Sequence, residues 1–356
     1  MNLTFNLVEP LLSWYQKNAR SLPWRQSQDA YRVWVSEIML QQTRVEAVKG
    51  YYARFLAALP TLADLATCPE ETLLKLWQGL GYYNRVRNMQ KAAIQVMQQY
   101  AGEMPRSYQA LLQLPGIGAY TAGAVASIAY GIAVPAVDGN VLRVITRITA
   151  NHSDITKPAV KTEITEQLAE IIPQNNPGNF NQALMELGAT VCVPNGAPQC
   201  LLCPLRTHCK AFAQGITDQL PVKTKQKPRR IESRTVLLLL AQNRVALQQR
   251  GPKQVLAGLW QFPNIEGLLS PAAITQLLEQ WQIGAEHIKP GIQSKHIFTH
   301  IEWHMQSYVV TCTPQSIDLS EGVLWASLND FDTLALPTAF QPFFKAIQPH
   351  LQPDIH

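Results

Sequence analysis

The stretch QLPGIGAYTAGAVASIAYG, residues 113–131, decides how the first half of the chain folds. It places Pro115, Gly116 and Gly118 between two helix-like runs and contains no charged residue. Glycines let a ligand approach the backbone closely, and the free amides at the start of the second helix carry the positive end of its dipole. The stretch predicts a helix, a tight turn and a helix able to hold a phosphate without a lysine. A plain turn between packed helices fits the same residues.

The sequence around this stretch shows two kinds of periodicity. From about residue 5 to 212, apolar residues recur at three and four positions, with proline or glycine at the breaks, which predicts many short helices and almost no sheet. After residue 234, TVLLLLA and RVALQQR predict two strands joined at Gln242 and Asn243, and HIFTHIEWHMQSYVVTC predicts another strand pair. We therefore expect a multidomain chain, with an all-helical domain followed by an α+β domain.

Composition limits the class of protein. The chain has 356 residues, 47% of them hydrophobic, which is enough for two cores, and its net charge of +5 modestly favours a polyanionic partner. Glu9 and Pro10 lie where a signal peptide needs an unbroken apolar run, and glycines and a proline interrupt the most apolar window, 121–137. We expect a cytoplasmic protein without a membrane span.

Four of the six cysteines lie close together, with seven, two and five residues between them: Cys192, Cys200, Cys203 and Cys209. In a cytoplasmic chain such a group indicates metal binding rather than disulfides. Four thiolates can hold either a structural zinc or an iron–sulfur cluster, and the spacing alone does not choose between them. We interpret the other two, Cys68 and Cys312, as ordinary buried thiols.

Two acidic residues have contrasting surroundings. Glu37 lies in VWVSEIMLQQT, where burial among apolar neighbours would raise its pKa and retain its proton. Asp138 follows PAV and precedes a helical run, so it is expected to cap that helix, where amides favour the anion. Hydrolysis of a glycosidic bond needs one carboxyl of each kind. The alternative is a solvent-exposed Glu37 and an Asp138 that only caps a helix.

The hairpin stretch, together with VPAVDGNVLRV about twenty residues after it, resembles the helix-hairpin-helix base-excision DNA glycosylases. Members that also cut the strand, such as those similar to endonuclease III, carry a lysine where this chain has Tyr120, and a tyrosine cannot form a Schiff base. SEIMLQQTRV resembles the catalytic helix of the adenine-specific branch, the MutY family. The resemblance implies a monofunctional DNA glycosylase that hydrolyses the N-glycosidic bond of adenine and leaves an abasic site.

The resemblance also implies residue roles. Glu37 protonates adenine N7, Asp138 stabilises the oxocarbenium ion or attacks it transiently, and Asn140 and Tyr120 position the sugar and the aspartate. Gln42 and Tyr82 match the residues that wedge beside the partner base. The hairpin residues implied to contact DNA are Gly116 and Gly118. The residues implied to line the adenine pocket are Trp24, Arg25 and Gln182.

NFNQALMELGATVC resembles the helix that leads into the iron–sulfur loop of this superfamily, which implies one [4Fe-4S] cluster on the four grouped cysteines. The first gap between them, VPNGAPQ, is one residue longer than is usual in the family and has no basic residue. We therefore expect this loop to contribute little phosphate binding.

The C-terminal part resembles the Nudix-like domain with which the MutY family recognises 8-oxoguanine opposite adenine. The resemblance is carried by GLWQFP at 258–263 and by Phe298, Thr299 and His300, where the family usually has Phe-Ser-His. Threonine keeps the hydroxyl, so recognition should survive. Glu279 is the single glutamate of GLLSPAAITQLLEQWQIG, and a magnesium-dependent pyrophosphatase needs several, so we expect no such activity.

Together the resemblances imply three regions. These are a helical catalytic region at 1–217, a basic linker at 218–233 and the Nudix-like domain at 234–356. The catalytic region comprises a six-helix part with the hairpin at about 107–131, and a cluster part made from the N-terminus and about 135–217. The implied partner is double-stranded DNA with adenine opposite 8-oxoguanine or guanine, bound by a monomer. A bifunctional lyase and a non-catalytic iron–sulfur DNA-binding protein are the alternatives.

Overall fold

The computed structural model describes residues 6–224, 228–251, 254–312 and 323–352. The chain forms two compact units, of which the first comprises Met1–Thr67 and Arg87–Lys225, and the second Cys68–Val86 and Gln226–His356. The short segment Cys68–Val86 thus groups with the C-terminal part, which the sequence did not suggest. Two contacts show why: Lys75 donates to the carbonyls of Phe331 at 2.6 Å and Leu334 at 3.2 Å.

Helices account for the chain before the first strand, as the sequence predicted, and residues 6–224 contain no strand. The helices are α1 Val8–Asn18, α2 Ala30–Leu40, α3 Val45–Ala58, α4 Leu62–Thr67, α5 Glu70–Leu76, α6 Asn84–Gln99, α7 Tyr108–Leu112, α8 Ala119–Tyr130, α9 Gly139–Thr149, α10 Pro158–Ile171, α11 Pro177–Thr190 and α12 Lys210–Ala213. Short 3-10 helices lie at Pro23–Arg25, Cys200–Leu202 and Arg206–His208.

Two of the helix starts are fixed by aspartate side-chain caps. Asp29 accepts from the Arg32 amide at 2.8 Å at the start of α2, and Asp138 does the same from Val141 at 2.8 Å at the start of α9. Each cap satisfies an amide that has no partner within its own helix. These two caps set where the helices that carry the acidic residues begin.

One core of the first unit joins α1 to α9, α10 and α11. Phe180 and Leu184 of α11 and Leu11 of α1 are fully buried in it. The core therefore brings the N-terminal helix against the segment that leads to the grouped cysteines.

Helices α7 and α8 with the turn between them form the predicted helix-hairpin-helix. Gly116 has a φ of +76°, and a Cβ there would lie 2.7 Å from the Asn88 Cβ, so a side chain is excluded on two grounds. Gly118 is the N-cap of α8 and has open space where a Cβ would be. The second glycine thus leaves the first amides of α8 open to a ligand.

The second unit is built on a mixed sheet of seven strands in the order β3-β2-β1-β6-β5, with β4 beside β1 and β7 beside β2. Strands β1 and β6 are parallel, and the other pairs are antiparallel. The strands are β1 Arg230–Ala241, β2 Arg244–Gln249, β3 Trp260–Gln261, β4 Asn264–Glu266, β5 Ala285–Ile297, β6 Ile301–Cys312 and β7 Val323–Ala326; helices α13 Pro271–Gln280 and α14 Gln341–Ile347 complete the unit.

Both predicted strand pairs are confirmed. Gln242 and Asn243 have φ of 46° and 63°, as the tight turn between β1 and β2 requires. Alternate residues of β1 enter different cores: Val236 and Leu238 face the core that includes α14, while Leu237 faces the core that includes α13. Burial on both faces explains the continuous apolar run TVLLLLA.

The expected linker at 218–233 is shorter in the structure. Its first part packs on the first unit, since Leu220 is buried and the Ile155 amide donates to the Val222 carbonyl at 3.1 Å. Its last part belongs to β1, which already pairs with β6 at Arg230. In the ranges that the structure describes, no helix has the length and apolar character needed to cross a membrane.

Candidate active site

Helix α2 carries Glu37 in its interior, where 6% of the residue is exposed, as the sequence predicted. Burial raises the pKa of Glu37 to about 7, because the carboxylate loses its hydration, and the negative charge of Asp138 raises it further. A hydrogen bond from Tyr120 and the charge of Arg25 oppose this rise. Glu37 therefore holds a proton near neutral pH and can deliver it.

Tyr120 of α8 donates its hydroxyl proton to a carboxylate oxygen of Glu37. Burial raises the pKa of Tyr120 well above its usual range, so the hydroxyl stays a donor. Its oxygen also lies 3.7 Å from the Met185 sulfur. Tyr120 thus contacts the acid directly, although the resemblance assigned it to the sugar and the aspartate.

Asp138 caps α9 as expected, with its carboxylate bound by the Val141 amide at 2.8 Å and the Asn140 side-chain amide at 2.6 Å. The expected net stabilisation of the anion is wrong in direction: burial raises the pKa of Asp138, and these hydrogen bonds only partly oppose the rise. Asp138 is only partly exposed, and the sequence pattern did not show this partial burial.

Asn140 is oriented by a residue that the sequence reasoning missed. Arg143, one turn further along α9, donates to the Asn140 side-chain oxygen at 2.9 Å and to the Gly188 carbonyl at 2.7 Å. The Asn140 oxygen is therefore occupied, which directs its amide group toward Asp138. The available signal in the sequence is a basic residue one turn after Asn140 in a largely apolar helix.

A polar cavity of about 400 Å³ in the first unit brings together two of the residues assigned to the adenine pocket, Arg25 and Gln182. Asn175, Asn176 and Asn179 also line it. Trp24 is not among its lining residues; it is 6% exposed and packs edge-on against Tyr52 at 5.6 Å.

Glu186 of α11 was also missed. Its buried carboxylate binds Arg20 at 2.7 and 2.9 Å and Arg25 at 2.7 Å. Burial alone would raise the pKa of Glu186, but the two guanidinium groups lower it to about 2. A glutamate in the run FNQALMELGAT was the available signal, and its partners lie more than 160 residues earlier in the chain.

The four grouped cysteines line one cavity together with Arg147 and Leu187. Arg147 donates to the Cys192 sulfur at 3.2 Å. Among the residues that the structure describes, no three His, Cys, Asp or Glu side chains meet as ligands of a single metal ion. Cys68 and Cys312 are buried elsewhere, as expected.

Gln42, the first of the two proposed wedge residues, follows the end of α2 and is exposed with a φ of 59°. A non-glycine residue in this region is strained, which is a feature of functional sites. Gly116 and Gly118 are likewise exposed, at the tip of the hairpin.

Tyr82, the other wedge candidate, is 46% exposed and also has a positive φ, of 48°. Within the second unit its hydroxyl is hydrogen-bonded to the Thr299 hydroxyl. Thr299 and His300 are exposed in the turn between β5 and β6, while Phe298 is half-buried against Trp303 at 4.8 Å. The second unit thus brings Tyr82 to the predicted recognition turn.

Family models match both parts of the chain: an HhH-GPD superfamily base excision DNA repair protein over residues 35–170, and a NUDIX domain over residues 235–346. The adenine DNA glycosylase of Homo sapiens is 35% identical, over 95% of this chain and 73% of its own length. The chain belongs to the adenine DNA glycosylase family.

Two further similarities agree with this assignment. The adenine DNA glycosylase of Buchnera aphidicola from Acyrthosiphon pisum is 30% identical, over 94% of this chain and 95% of its own length. A structure of endonuclease III trapped as a covalent intermediate with DNA is 25% identical with a TM-score of 0.50, and the match covers 59% of this chain and 95% of that one. The chain is a DNA glycosylase with a helix-hairpin-helix domain and a Nudix-like domain, as the sequence predicted.

Proposed function

We propose that this enzyme hydrolyses the N-glycosidic bond of adenine paired with 8-oxoguanine or guanine in double-stranded DNA, and that it acts as a monomer. The observation that carries the proposal is the pairing of a buried, protonated Glu37 with a capped Asp138. Such a pair supplies a proton and a negative charge to one nucleoside.

In the proposed reaction the Glu37 proton goes to N7 of the extruded adenine, and the electrons of the glycosidic bond leave with the base. The sugar becomes an oxocarbenium ion, and the negative charge of the Asp138 carboxylate stabilises it. A hydrogen bond from the Asn140 side chain holds this carboxylate in place. Water then adds to the sugar carbon and releases a proton, which leaves an abasic site.

The strand is expected to remain intact, because Tyr120 stands where strand-cutting relatives have a lysine. A phenol has no amine to attack the sugar and form a Schiff base. In this chain the hydroxyl is committed to Glu37 instead, which supports a role in holding the acid.

Recognition of the partner base is assigned to the turn that carries Thr299, with Phe298 and His300. The contact between Thr299 and the exposed Tyr82 supports this, because it joins the proposed wedge to the proposed reader within one unit. Unstacking a base leaves a gap that such side chains can fill. On the other unit, Gln42 is assigned the same task, and the hairpin amides near Gly118 are assigned to phosphate.

The four grouped cysteines suit one [4Fe-4S] cluster. They line one shared cavity, and the helix before them resembles the one that leads into the iron–sulfur loop of the superfamily, which favours the cluster over zinc. Bound there, the cluster would fix the loop that follows α11.

The direct test is a single-turnover reaction with duplexes containing adenine opposite 8-oxoguanine, guanine or thymine. We expect release of free adenine from the first two, and strand breaks only after alkali treatment. The Glu37→Gln protein is the control for the chemistry. Absence of free adenine, or strand cutting without alkali, would contradict the proposal.

A further inference from the structure

Glu186 is a buried carboxylate that the proposed chemistry does not use. Its side chain is 1% exposed, and it lies on α11 one turn after Gln182 and beside Met185. Three hydrogen bonds reach it from Arg20, through the backbone amide and the guanidinium, and a fourth comes from Arg25. Buried carboxylates are costly unless paired in this way, so a pair retained beside an active site calls for an explanation.

The Glu186 carboxylate accepts a hydrogen bond from the Arg25 guanidinium at 2.7 Å. Arg25 also donates to the Arg20 carbonyl at 3.1 Å, and its guanidinium lies 5.4 Å from the centre of the Tyr15 ring. These three contacts hold Arg25 on the wall of the polar cavity, which Gln182 also lines.

We propose that Glu186 is a positioning residue for base excision, which holds Arg25 at the cavity wall and offsets its positive charge, so that Glu37 keeps the proton that it delivers. The inference rests on the proposed function and assigns a new residue to it.

The charges around Glu37 show why this compensation matters. Tyr120 and Asp138 face Glu37 from α8 and from the start of α9, and Arg25 faces it from the 3-10 helix. Of these three, Arg25 is the cation, and it lowers the pKa of Glu37. The groups that face Arg25 itself are Glu186, Arg20 and Tyr15, and Glu186 is the anion among them.

The test is the pH dependence of the single-turnover rate of adenine release. In the Glu186→Gln protein, Arg25 is no longer compensated and stabilises the Glu37 anion, so the basic limb should move to lower pH by about one unit. Arg25→Gln should move the limb the opposite way. Arg20→Gln is the matched control, since it removes bonds to the same carboxylate without removing the cation near Glu37, and its limb should stay in place.

Because Glu186→Gln leaves two arginines without an anion, the Glu186→Gln/Arg20→Gln protein gives a second reading in which Arg25 alone is left without one. It should fold and show the same shift to lower pH. A basic limb at the wild-type position in this double variant would overturn the inference. If the wild-type protein releases no adenine, or its basic limb lies far from neutral pH, the fault lies in the proposed function instead.

Discussion

The pH range of the proposed reaction depends on two carboxyls, and burial raises the pKa of both. The proposed reaction needs a protonated Glu37, and burial raises the pKa of Glu37 to about 7. It also needs an ionised Asp138, and burial raises the pKa of Asp138 above the usual aspartate range. The useful pH range therefore has its lower edge at the Asp138 pKa and its upper edge at the Glu37 pKa.

The single-turnover rate should accordingly fall as the pH rises through about 7, because Glu37 loses its proton there. Replacing Glu37 by Gln should lower the rate at least about 10²-fold, the loss typical of a missing general acid, while duplex binding is retained. Adenine release and filter binding measure the two effects. A variant that keeps the wild-type rate would remove Glu37 from the mechanism.

Tyr120→Phe should move the basic limb to higher pH. The lost hydrogen bond favours the carboxylate form, so the pKa of Glu37 rises without it. Tyr31→Phe is a matched control: it lies on α2 with Glu37, and its buried hydroxyl donates to the Leu59 carbonyl at 2.8 Å. That variant should lose thermal stability but keep the limb in place, and a shift in both variants would argue against a direct effect.

Thr299→Ala should reduce the preference for 8-oxoguanine over guanine more than it reduces the rate of chemistry. The variant loses the hydroxyl that joins Tyr82 to the recognition turn and leaves Glu37 untouched. Single-turnover rates on the two duplexes give the ratio. Thr299→Ser keeps the hydroxyl and should keep the preference, whereas equal losses on both duplexes in the alanine variant would contradict the assignment.

At the scale of elements, α11 carries several residues of the proposed active site or residues in contact with it. Gln182 lines the cavity, Met185 meets Tyr120, Glu186 binds Arg25, and Gly188 packs on Asn140. A Cβ at Gly188 would lie 2.7 Å from the Asn140 Cβ, so only glycine allows α9 and α11 to approach this closely.

The hairpin allows a comparison of its two glycines. Gly116→Ala combines a positive φ with a clash against Asn88, and should destabilise the protein by about 1–3 kcal/mol. Gly118→Ala meets nothing within 4 Å and should leave the melting temperature unchanged. Thermal unfolding of both variants tests this, and a large loss of stability at Gly118 would show that the turn is packed differently. Weaker duplex binding by a stable Gly118 variant would support phosphate contact there.

The elements themselves could be read from local sequence, and the long-range polar contacts could not. Apolar periodicity and helix caps such as Asp138 depend on residues that are close in sequence, so the helices, the hairpin and both strand pairs were predictable. Arg20 and Glu186 are 166 residues apart, and no short pattern records that they meet. The same holds for the burial of Asp138, which reversed the expected direction of its pKa shift.

At the scale of the whole molecule, the division into two units does not follow one cut in the chain. Besides Lys75, Glu71 of the Cys68–Val86 segment reaches the C-terminal part, where it accepts from the Trp260 indole at 3.2 Å. The sequence predicted one domain boundary, at the basic linker where the composition changes. It missed the second segment of this unit, because composition does not record which early segment packs on a later sheet.

A protein that ends at residue 225 should therefore lose protection in α5. Leu73 and Leu74 are buried, and their segment belongs to the unit that the truncation removes. Hydrogen exchange of these amides should become faster in the truncated protein, while the amides of Val141 and Val144 in the α9 core should keep their protection. Unchanged exchange at α5 would show that this helix is stable without the C-terminal part.

The grouping of Cys68–Val86 with the second unit has a consequence during synthesis. This segment leaves the ribosome roughly 250 residues before Phe331 and Leu334, which at about 5–20 residues per second is a wait of about 12–50 s. Through that interval Cys68–Val86 lies between two parts of the first unit, without the C-terminal residues with which it groups. A chaperone that binds apolar nascent chain would bind Cys68–Val86 during this interval, before the sheet of the second unit has been synthesised.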